Sequence, residues 1–529
     1  MTEKENAQSA WSPLKLPLFR ALWIAAVFSN IGTWVHDVGA GWLMTGLSAS
    51  PFMVSLVQTA ATLPMFFLAL PAGALSDIVD RRNLLMASQL WMLALAVVLG
   101  ALAYLERVGS GSLLILTFLM NLGAAMSLPA WSALAPELVS REELPSALAL
   151  NSLGINISRA IGPALGGFMI SAFGAHWAFF FNALSFMTVL IILHQWDRPE
   201  KENNLPAERF LSAMRLGVRF AKNSPELKSV LYRTAAFIFP ASALWALLPL
   251  VAKDLLNGDS TDYGVLLTFI GAGAVCGAAA LPKLKARFSI DALVAGGIVS
   301  LAGVLSLTGY LHDFKLACLA MFAGGIAWLA LLSNLNLSAQ ISVPSWVRAR
   351  AMAIYYMLFF FGGMAGGSLA WGALANIIGI SNTLYCAGTA LICGLLATRS
   401  YSLNGGESMN LAPSLHWPTP DVMIDMEHED GPVLITVEYE IETKRSDEFK
   451  EALQKIRRGR LRDGALHWGL FHDTENPDRY VENFIVESWA EHMRQHDRVT
   501  HADKAVQEIA WSFHVGAGKP KVSHFLNVL

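Results

Sequence analysis

Long apolar runs alternate with short polar breaks over the first 400 residues, and the alternation changes character after them. A membrane span needs about 20 apolar residues to cross roughly 30 Å of hydrocarbon. Twelve runs meet that need: 18–44, 52–75, 83–105, 111–135, 145–173, 177–195, 230–251, 262–282, 290–311, 314–338, 350–378 and 381–399. They predict an all-α membrane protein of twelve transmembrane helices. A polar block, 196–229, parts them six and six, and within it Phe210, Met214, Val218 and Ala221 fall on one side of a surface helix that suits a membrane face. The predicted organisation is an N-terminal six-helix half (1–195), a cytoplasmic central loop (196–229), a C-terminal six-helix half (230–400), a linker (401–430) and a soluble domain (431–529).

The last segment reads differently. VLITVEYEI alternates as a strand, SDEFKEALQKIRRGRLR is helical, ALHWGLFHD and RYVENFIVES are strands, the stretch from Ser488 to His514 is one helix, and VSHFLNV is a last strand. The order β-α-β-β-α-β predicts a small α+β ferredoxin-like domain. Val433, Ile435, Val437, Tyr439 and Ile441 share the face suited to helices, with Leu434, Thr436, Glu438 and Glu440 on the other. Trp468, Phe471, Phe484 and Trp489 are expected to add aromatic surface that closes a partner sheet, giving a homodimer through this domain, or a ligand pocket.

Composition agrees with the division. The chain is 54% hydrophobic and 15% charged, far from a soluble domain's balance. Residues 401–529 hold 22 of the 41 acids and 14 of the 38 bases, so the tail is a separate, polar body. One set of loops carries Arg81, Arg82, Arg141, a basic block from Arg198 to Arg233, Lys283, Lys285, Arg287, Arg348 and Arg350; the other offers only Arg107, Lys253 and Lys315. By the positive-inside rule both termini are expected in the cytoplasm, with the helices in the cytoplasmic (inner) membrane. The polar opening MTEKENAQSAWSPLKLP predicts no removable signal peptide. The four cysteines all lie in apolar runs, which is neither a disulfide framework nor a metal-site spacing. No phosphate-binding GxxxxGK[ST] occurs, so an ion gradient is the expected energy source. No cofactor, metal or nucleic acid is expected.

The two halves repeat. Adding 204 to Gly73 gives Gly277, and Arg81 then falls on Lys285; the same offset takes Gly162 to Gly366 and Gly174 to Ile378, beside Gly379. One offset for two helix pairs indicates parallel halves.

The motif Gly73-x-Leu75-x-Asp77-x-x-Asp80-Arg81-Arg82, between spans 2 and 3 of a 6+6 protein, resembles the signature loop of the major facilitator superfamily. Ser158-Arg159-Ala160-Ile161-Gly162-Pro163-Ala164-Leu165-Gly166-Gly167 in span 5 resembles the antiporter motif of that superfamily's drug:proton exporters, with Ser158 where the pattern has Gly. NIGTWVHDVGAGWLM, PELVSREELPSALALN and VPSWVRARAMAIYYM resemble the branch that includes macrolide and siderophore exporters. The tail is similar to dimeric α/β-barrel domains of the antibiotic-biosynthesis monooxygenase type. The resemblance implies alternating access, proton antiport, and a seal against ion leak formed by Gly162, Pro163, Gly166 and Gly167.

Physical chemistry gives these residues roles. Gly73 lets span 2 approach a neighbour closely. Asp77 suits the positive N-terminal end of span 11, and a carboxylate there gains roughly 0.3–2 kcal/mol. With Asp80, Arg81 and Arg82 it makes a candidate conformational gate; the alternative is a solvated, topology-setting turn. Asp37, about 26 Å of helix beyond Arg20, and Arg159, near mid-span 5, are the candidate proton-coupling pair, because an intramembrane charge is costly unless it has work to do. The alternatives are a wet vestibule for Asp37 and a donor to carbonyls for Arg159. Asn30, Trp34, Asn121 and Asn156 are the candidate substrate-cavity residues, suited to a large amphipathic molecule. His492 and His496, four apart, suggest a metal pair, but Met493 stands where a zincin has Glu, and a surface or interface role is the stronger reading.

The expected function is secondary active export of amphipathic small molecules, drugs or siderophore-like metabolites, with the substrate, protons and the bilayer as partners and no enzymatic activity. The rivals are a narrow-specificity metabolite importer or exporter, and a membrane-tethered enzyme acting through the tail.

Overall fold

The computed structural model describes residues 11–78, 80–140, 142–196, 210–344, 346–403, 410–418, 420 and 430–528. The chain forms two compact units. The first comprises residues 1–207, 232–335 and 356–400, and the second residues 208–231, 336–355 and 401–529.

The first unit holds nearly all of the long helices: α1 (Pro17–Leu47), α2 (Pro51–Ile78), α3 (Arg81–Tyr104), α4 (Ser110–Leu138), α5 (Leu144–Phe173) and α6 (Ala175–Gln195) in the first half. After α7 (Phe210–Asn223), the other half has α8 (Pro225–Leu250), α9 (Ser260–Lys285), α10 (Ile290–Tyr310) and α11 (Phe314–Ile341). Its last two spans are α12 (Arg348–Met357), joined through a π segment (Leu358–Ala365) to α13 (Gly366–Ile378), and α14 (Ile380–Ala397). Twelve helices among the described residues are long and apolar enough to cross a membrane. The protein is thus a twelve-span, all-α membrane protein with a small α+β tail. The spans overrun the sequence estimate; span 7 starts at Pro225, where 230 was expected, and its π turn Val251–Leu255 extends it beyond 251.

Local chemistry explains the breaks. Asp80 caps α3 by accepting from the Asn83 N–H at 2.9 Å. Asp259 and Asp262 form a capping box at α9, and the Ser289 hydroxyl caps α10. Gly174 (φ 93°) ends α5 and Gly379 (φ 85°) ends span 11, and each then starts the next helix. Left-handed φ needs glycine there. This pair corrects the repeat offset. Gly174 corresponds to Gly379 itself, so 205 rather than 204 relates span 5 to span 11, because the Gly turn and not Ile378 must reverse the chain.

In the second unit, β1 (Val433–Glu440), β2 (His467–His472), β3 (Arg479–Val486) and β4 (Lys521–Leu526) form an antiparallel sheet in the order β2-β3-β1-β4. The helices are α15 (Ser446–Arg462), α16 (Trp489–Arg498) and α17 (His501–Trp511). The single helix expected between β3 and β4 is two, because the Thr500 hydroxyl and Asp503 make a capping box that starts α17 afresh. The face with Val433, Ile435, Val437 and Tyr439 is buried, together with Tyr480, Glu482, Phe484 and Val486 from β3. Trp468 and Phe484 sit on this covered side, opposite each other. Phe471 alone of the four expected aromatics faces out from the sheet's open side, 54% exposed.

Two boundaries differ from expectation. Residues 410–418 pack as part of the tail: Pro413 bridges Thr500, and the Trp417 indole donates to Gln507 at 3.0 Å. In α7 the buried residues are Gly217, Phe220 and Ala221, while Val218 is exposed; the side chains of Phe210 and Met214 lie outside the described residues. Phe220 packs with Leu227, Val343, Val347 and Ala351, so this helix is docked on protein. Tertiary packing chose a face one residue away from the predicted one.

Candidate functional site

The loop from α2 to α3 is held within its own half. Gly73 and Asp77 lie in the last turns of α2, and their side chains are outside the described residues. Asp80 is spent on the α3 cap. Arg82 donates from Nε to the Leu193 carbonyl and from Nη2 to that of His194, both at 2.7 Å. It therefore ties the start of α3 to the end of α6, where unpaired carbonyls and the negative end of the helix dipole favour a cation. Among the described residues the Arg82 partners are these two carbonyls. Arg81 opens α3.

Helix α5 lies between α1 and α9. A Cβ on Gly162 would meet the Trp34 Cβ at 2.5 Å, and one on Gly166 the Val35 Cα at 3.1 Å. On the other side a Cβ on Gly167 would lie 2.5 Å from the Ser260 carbonyl oxygen, and one on Gly264 as close to that of Pro163. Glycine is required because backbone meets backbone. Ser158 fills the motif's glycine position by bonding inward, to the carbonyls of Gly154 (2.9 Å) and Val27 (3.1 Å).

The seam between halves can be followed. At the end away from the Arg81 loop, Ser50 donates to Asn376 at 3.1 Å and Lys253 to the Thr45 carbonyl. Nearer mid-span, Thr59 donates to the Ala365 carbonyl at 3.2 Å, Phe66 stacks on Phe361 with centroids 4.1 Å apart, and the Arg159 backbone abuts Gly271. One turn further toward the Arg81 end, Ile155 and Val275 are 48% and 44% exposed, so the α5–α9 seam stops there.

Asp37 and Arg159 are not brought together: neither makes an ion pair among the described residues. Asp37 is half-buried on α1, beside His36, which is fully buried against Phe179. Tyr263, in the first turn of α9, reaches this stretch of α1 from the other half. Tyr263 also stacks on Trp42 and approaches Gly41, one turn beyond Asp37. Sequence reasoning missed Tyr263; a tyrosine in the first turn of an apolar span, just after a capping box, was the available signal.

A cavity of about 440 Å³ opens among α1, α3, α4, α5 and α6, lined by Trp23, Asn30, Thr33, Gln89, Trp131 and Asn151 among others. No charged side chain is among its described lining residues. Of the four candidate cavity residues, Asn30 is the one among its described lining residues. Trp34 covers Gly162, and Asn121 and Asn156 donate back to the carbonyls of Thr117 (3.0 Å) and Ser152 (2.9 Å) on their own helices. Gln89 was missed because a single amide within a membrane span gives no periodic signal.

In the tail, His492 and His496 meet with Nε2 atoms 3.3 Å apart, and the His524 ring centroid is 4.7 Å from that of His492. Burial, then the neighbouring imidazoles, push His492 down to about 3 and His496 to about 4. Among the described residues no three donors stand at metal-coordination distance. The tail is also tied to the rest of its unit. Arg219 donates to the Gly464 carbonyl at 2.7 Å, Arg462 lies over Phe220, and Arg498 lies over Trp346, 4.8 Å from the ring centroid.

Two six-helix halves in one unit, glycine-seamed along α5 and α9, with an uncharged cavity among the helices of the first half, define a membrane transporter of the major facilitator type. The chain belongs to the family of such transporters described as transmembrane secretion effector, whose model matches residues 8–529, tail included. It is similar to the uncharacterized MFS-type transporter YfiS of Bacillus subtilis (27% identity, 72% of this chain and 93% of the relative). It is also similar to the staphyloferrin A transporter of Staphylococcus aureus (22%, 73% and 96%) and the multidrug efflux pump Tap of Mycolicibacterium fortuitum (24%, 70% and 91%). A solved bacterial homologue of the lysosomal transporter Spinster shares the fold, with a TM-score of 0.58 at 14% identity over 75% of this chain and 98% of that one.

Proposed function

We propose that the protein is a secondary active exporter of amphipathic small molecules across the cytoplasmic membrane, working by proton antiport and alternating access. The observation that carries this reading is the uncharged, aromatic-walled cavity, set toward the Arg81 ends of α1, α3 and α4, in a unit whose α5–α9 seam stops short of that end. With the basic loops in the cytoplasm, the cavity faces the compartment from which an exporter loads. Efflux-type relatives support the direction. A siderophore-handling relative supports the substrate range.

Asp37 carries the proton, with Tyr263 as its partner across the seam, and Arg159 acts through the α5 backbone that Gly271 contacts. Gly73, Asp77, Asp80, Arg81 and Arg82 form the gate at the loading end, and Gly162, Pro163, Gly166 and Gly167 form the seal. Both termini and the tail are cytoplasmic; the tail, similar to the monooxygenase-type dimeric barrels, is an accessory domain that pairs two copies and catalyses nothing. The test is transport in inverted membrane vesicles with a panel of dyes, antibiotics and siderophores, with and without a pH gradient. Gradient-dependent accumulation inside the vesicles supports the reading. Accumulation unaffected by collapsing the gradient, or none for any compound, overturns it.

A further inference from the structure

The cavity wall holds an amide that the protein leaves unused. Gln89 is 2% exposed and its Oε1 has no hydrogen-bond partner among the described residues, yet it lines the cavity. More than nine in ten buried polar groups find a partner within the protein or in ordered water. On α3, Leu85 lies one turn before Gln89 and Met92 nearly one turn after, and both are buried apolar residues. A leucine or methionine at 89 would continue that stripe, so packing does not ask for an amide.

The surroundings define what would satisfy it. Asn30 and Asn151, in the same wall, also make no side-chain hydrogen bond among the described residues. The Trp23 indole is spent on the Leu150 carbonyl at 2.9 Å. Trp131, Met92 and Phe186 supply flat apolar surface. The lining offers no counter-charge, and a charge buried without one is strongly disfavoured. The volume of about 440 Å³ falls within the range of small-molecule sites, roughly 300–1,000 Å³.

We propose that this cavity binds an uncharged, ring-bearing molecule with a hydrogen-bond donor, a hydroxylated aromatic, and that Gln89 accepts that hydrogen bond and sets the preference for the free hydroxyl over its ether. This rests on the exporter reading for its purpose, but the site is tested by binding alone. The polar group projects toward Gln89 on α3 while the ring lies among Trp131, Met92 and Phe186. An O-alkylated congener fills the same space and leaves the amide unmet.

The test is equilibrium dialysis of the purified full-length protein in detergent against 7-hydroxycoumarin and 7-methoxycoumarin, at a mildly acidic pH where the hydroxyl keeps its proton. Wild type is expected to favour the hydroxyl compound by about tenfold, the usual scale of leaving a buried acceptor unpaired. Gln89→Leu and the closer-shaped Gln89→Met are expected to bind both compounds equally while keeping the wild-type elution profile in size exclusion. The same preference in wild type and both variants would overturn the assignment. Equal binding of the two compounds by wild type would also overturn it, and would mean that water meets the amide. Binding without gradient-driven transport in vesicles would leave this site standing and sink only the exporter reading.

Discussion

The Ser260 hydroxyl donates to the Gly167 carbonyl at 3.3 Å, joining α9 of one half to α5 of the other. A close glycine–serine approach recurs between α2 and α13, where the Ser55 hydroxyl donates to the Phe52 carbonyl of its own helix. Adding 205 to Gly167 gives Gly372, and adding 205 to Ser55 gives Ser260; Ser55 is the residue against which Gly372 packs. Likewise Gly162 meets Trp34 and Gly367 meets Phe239, again 205 apart. Two glycine–serine contacts related by the repeat hold the halves together, so rocking about them bends both seams alike.

Filling either side of the first seam should therefore be felt throughout. Gly167→Ala and Gly264→Ala each press a Cβ into backbone that has no rotamer to yield. Each is expected to cost about 1–3 kcal/mol, lowering the thermal midpoint in detergent and slowing efflux. Gly46→Ala, which faces open space, serves as the control and should change neither.

Coupling is tested at Asp37. Asp37→Asn should remove the dependence of transport of a neutral substrate on the pH gradient, while Tyr263→Phe, which withdraws the hydroxyl that approaches α1 one turn beyond that charge, should displace the pH midpoint and keep coupling. Arg159→Ala should weaken coupling or abolish transport. An unchanged profile in Asp37→Asn would remove it from the mechanism.

The gate loop separates into two roles. Asp77→Asn should leave insertion intact but slow transport sharply, and wild-type rates from a well-expressed mutant would end the gate assignment. Arg82→Ala loses two charge-assisted bonds to the end of α6, worth about 1.5–3 kcal/mol each. It should lower stability first and transport only in proportion.

The tail histidines predict an acid-sensitive fold. His492 and His496 ionise near 3 and 4 when folded against about 6.5 unfolded. The unfolded chain thus takes up protons first. Their contribution to stability is complete above about 6.5 and is lost as pH falls toward their folded values. Chemical denaturation between pH 7 and 4.5 should show this loss in wild type and a shallower slope in His492→Gln/His496→Gln.

The open sheet face predicts association. Phe471 and Phe525 stand exposed there, 54% and 52%, with Leu434, Val481 and Ile485 between them on the same side. Residues 410–529, a boundary set by the packing of Trp417, should sediment as a soluble homodimer, and Phe471→Asp should shift it to monomer. A wild-type monomer would defeat the claim. Deleting the same residues should leave the twelve spans inserted with partial transport.

Hydrophobic run length and loop charge were enough to read twelve spans, the six-and-six division and the four strands of the tail from the sequence (though not the break between α16 and α17), because burial period and span length are local properties of the chain. The glycines of span 5 could be read as a close contact for the same reason: a residue without a side chain marks where something approaches. What approaches was decided only by the tertiary structure. Asp37 is not paired with Arg159 while Tyr263 comes in one turn beyond it, Arg82 caps the end of α6, Trp468 turns to the covered face of its sheet, and Gln89 is left with its carbonyl unmet. Each of these depends on a partner far away in the sequence, which the rotation of one packed helix or the register of one strand selects.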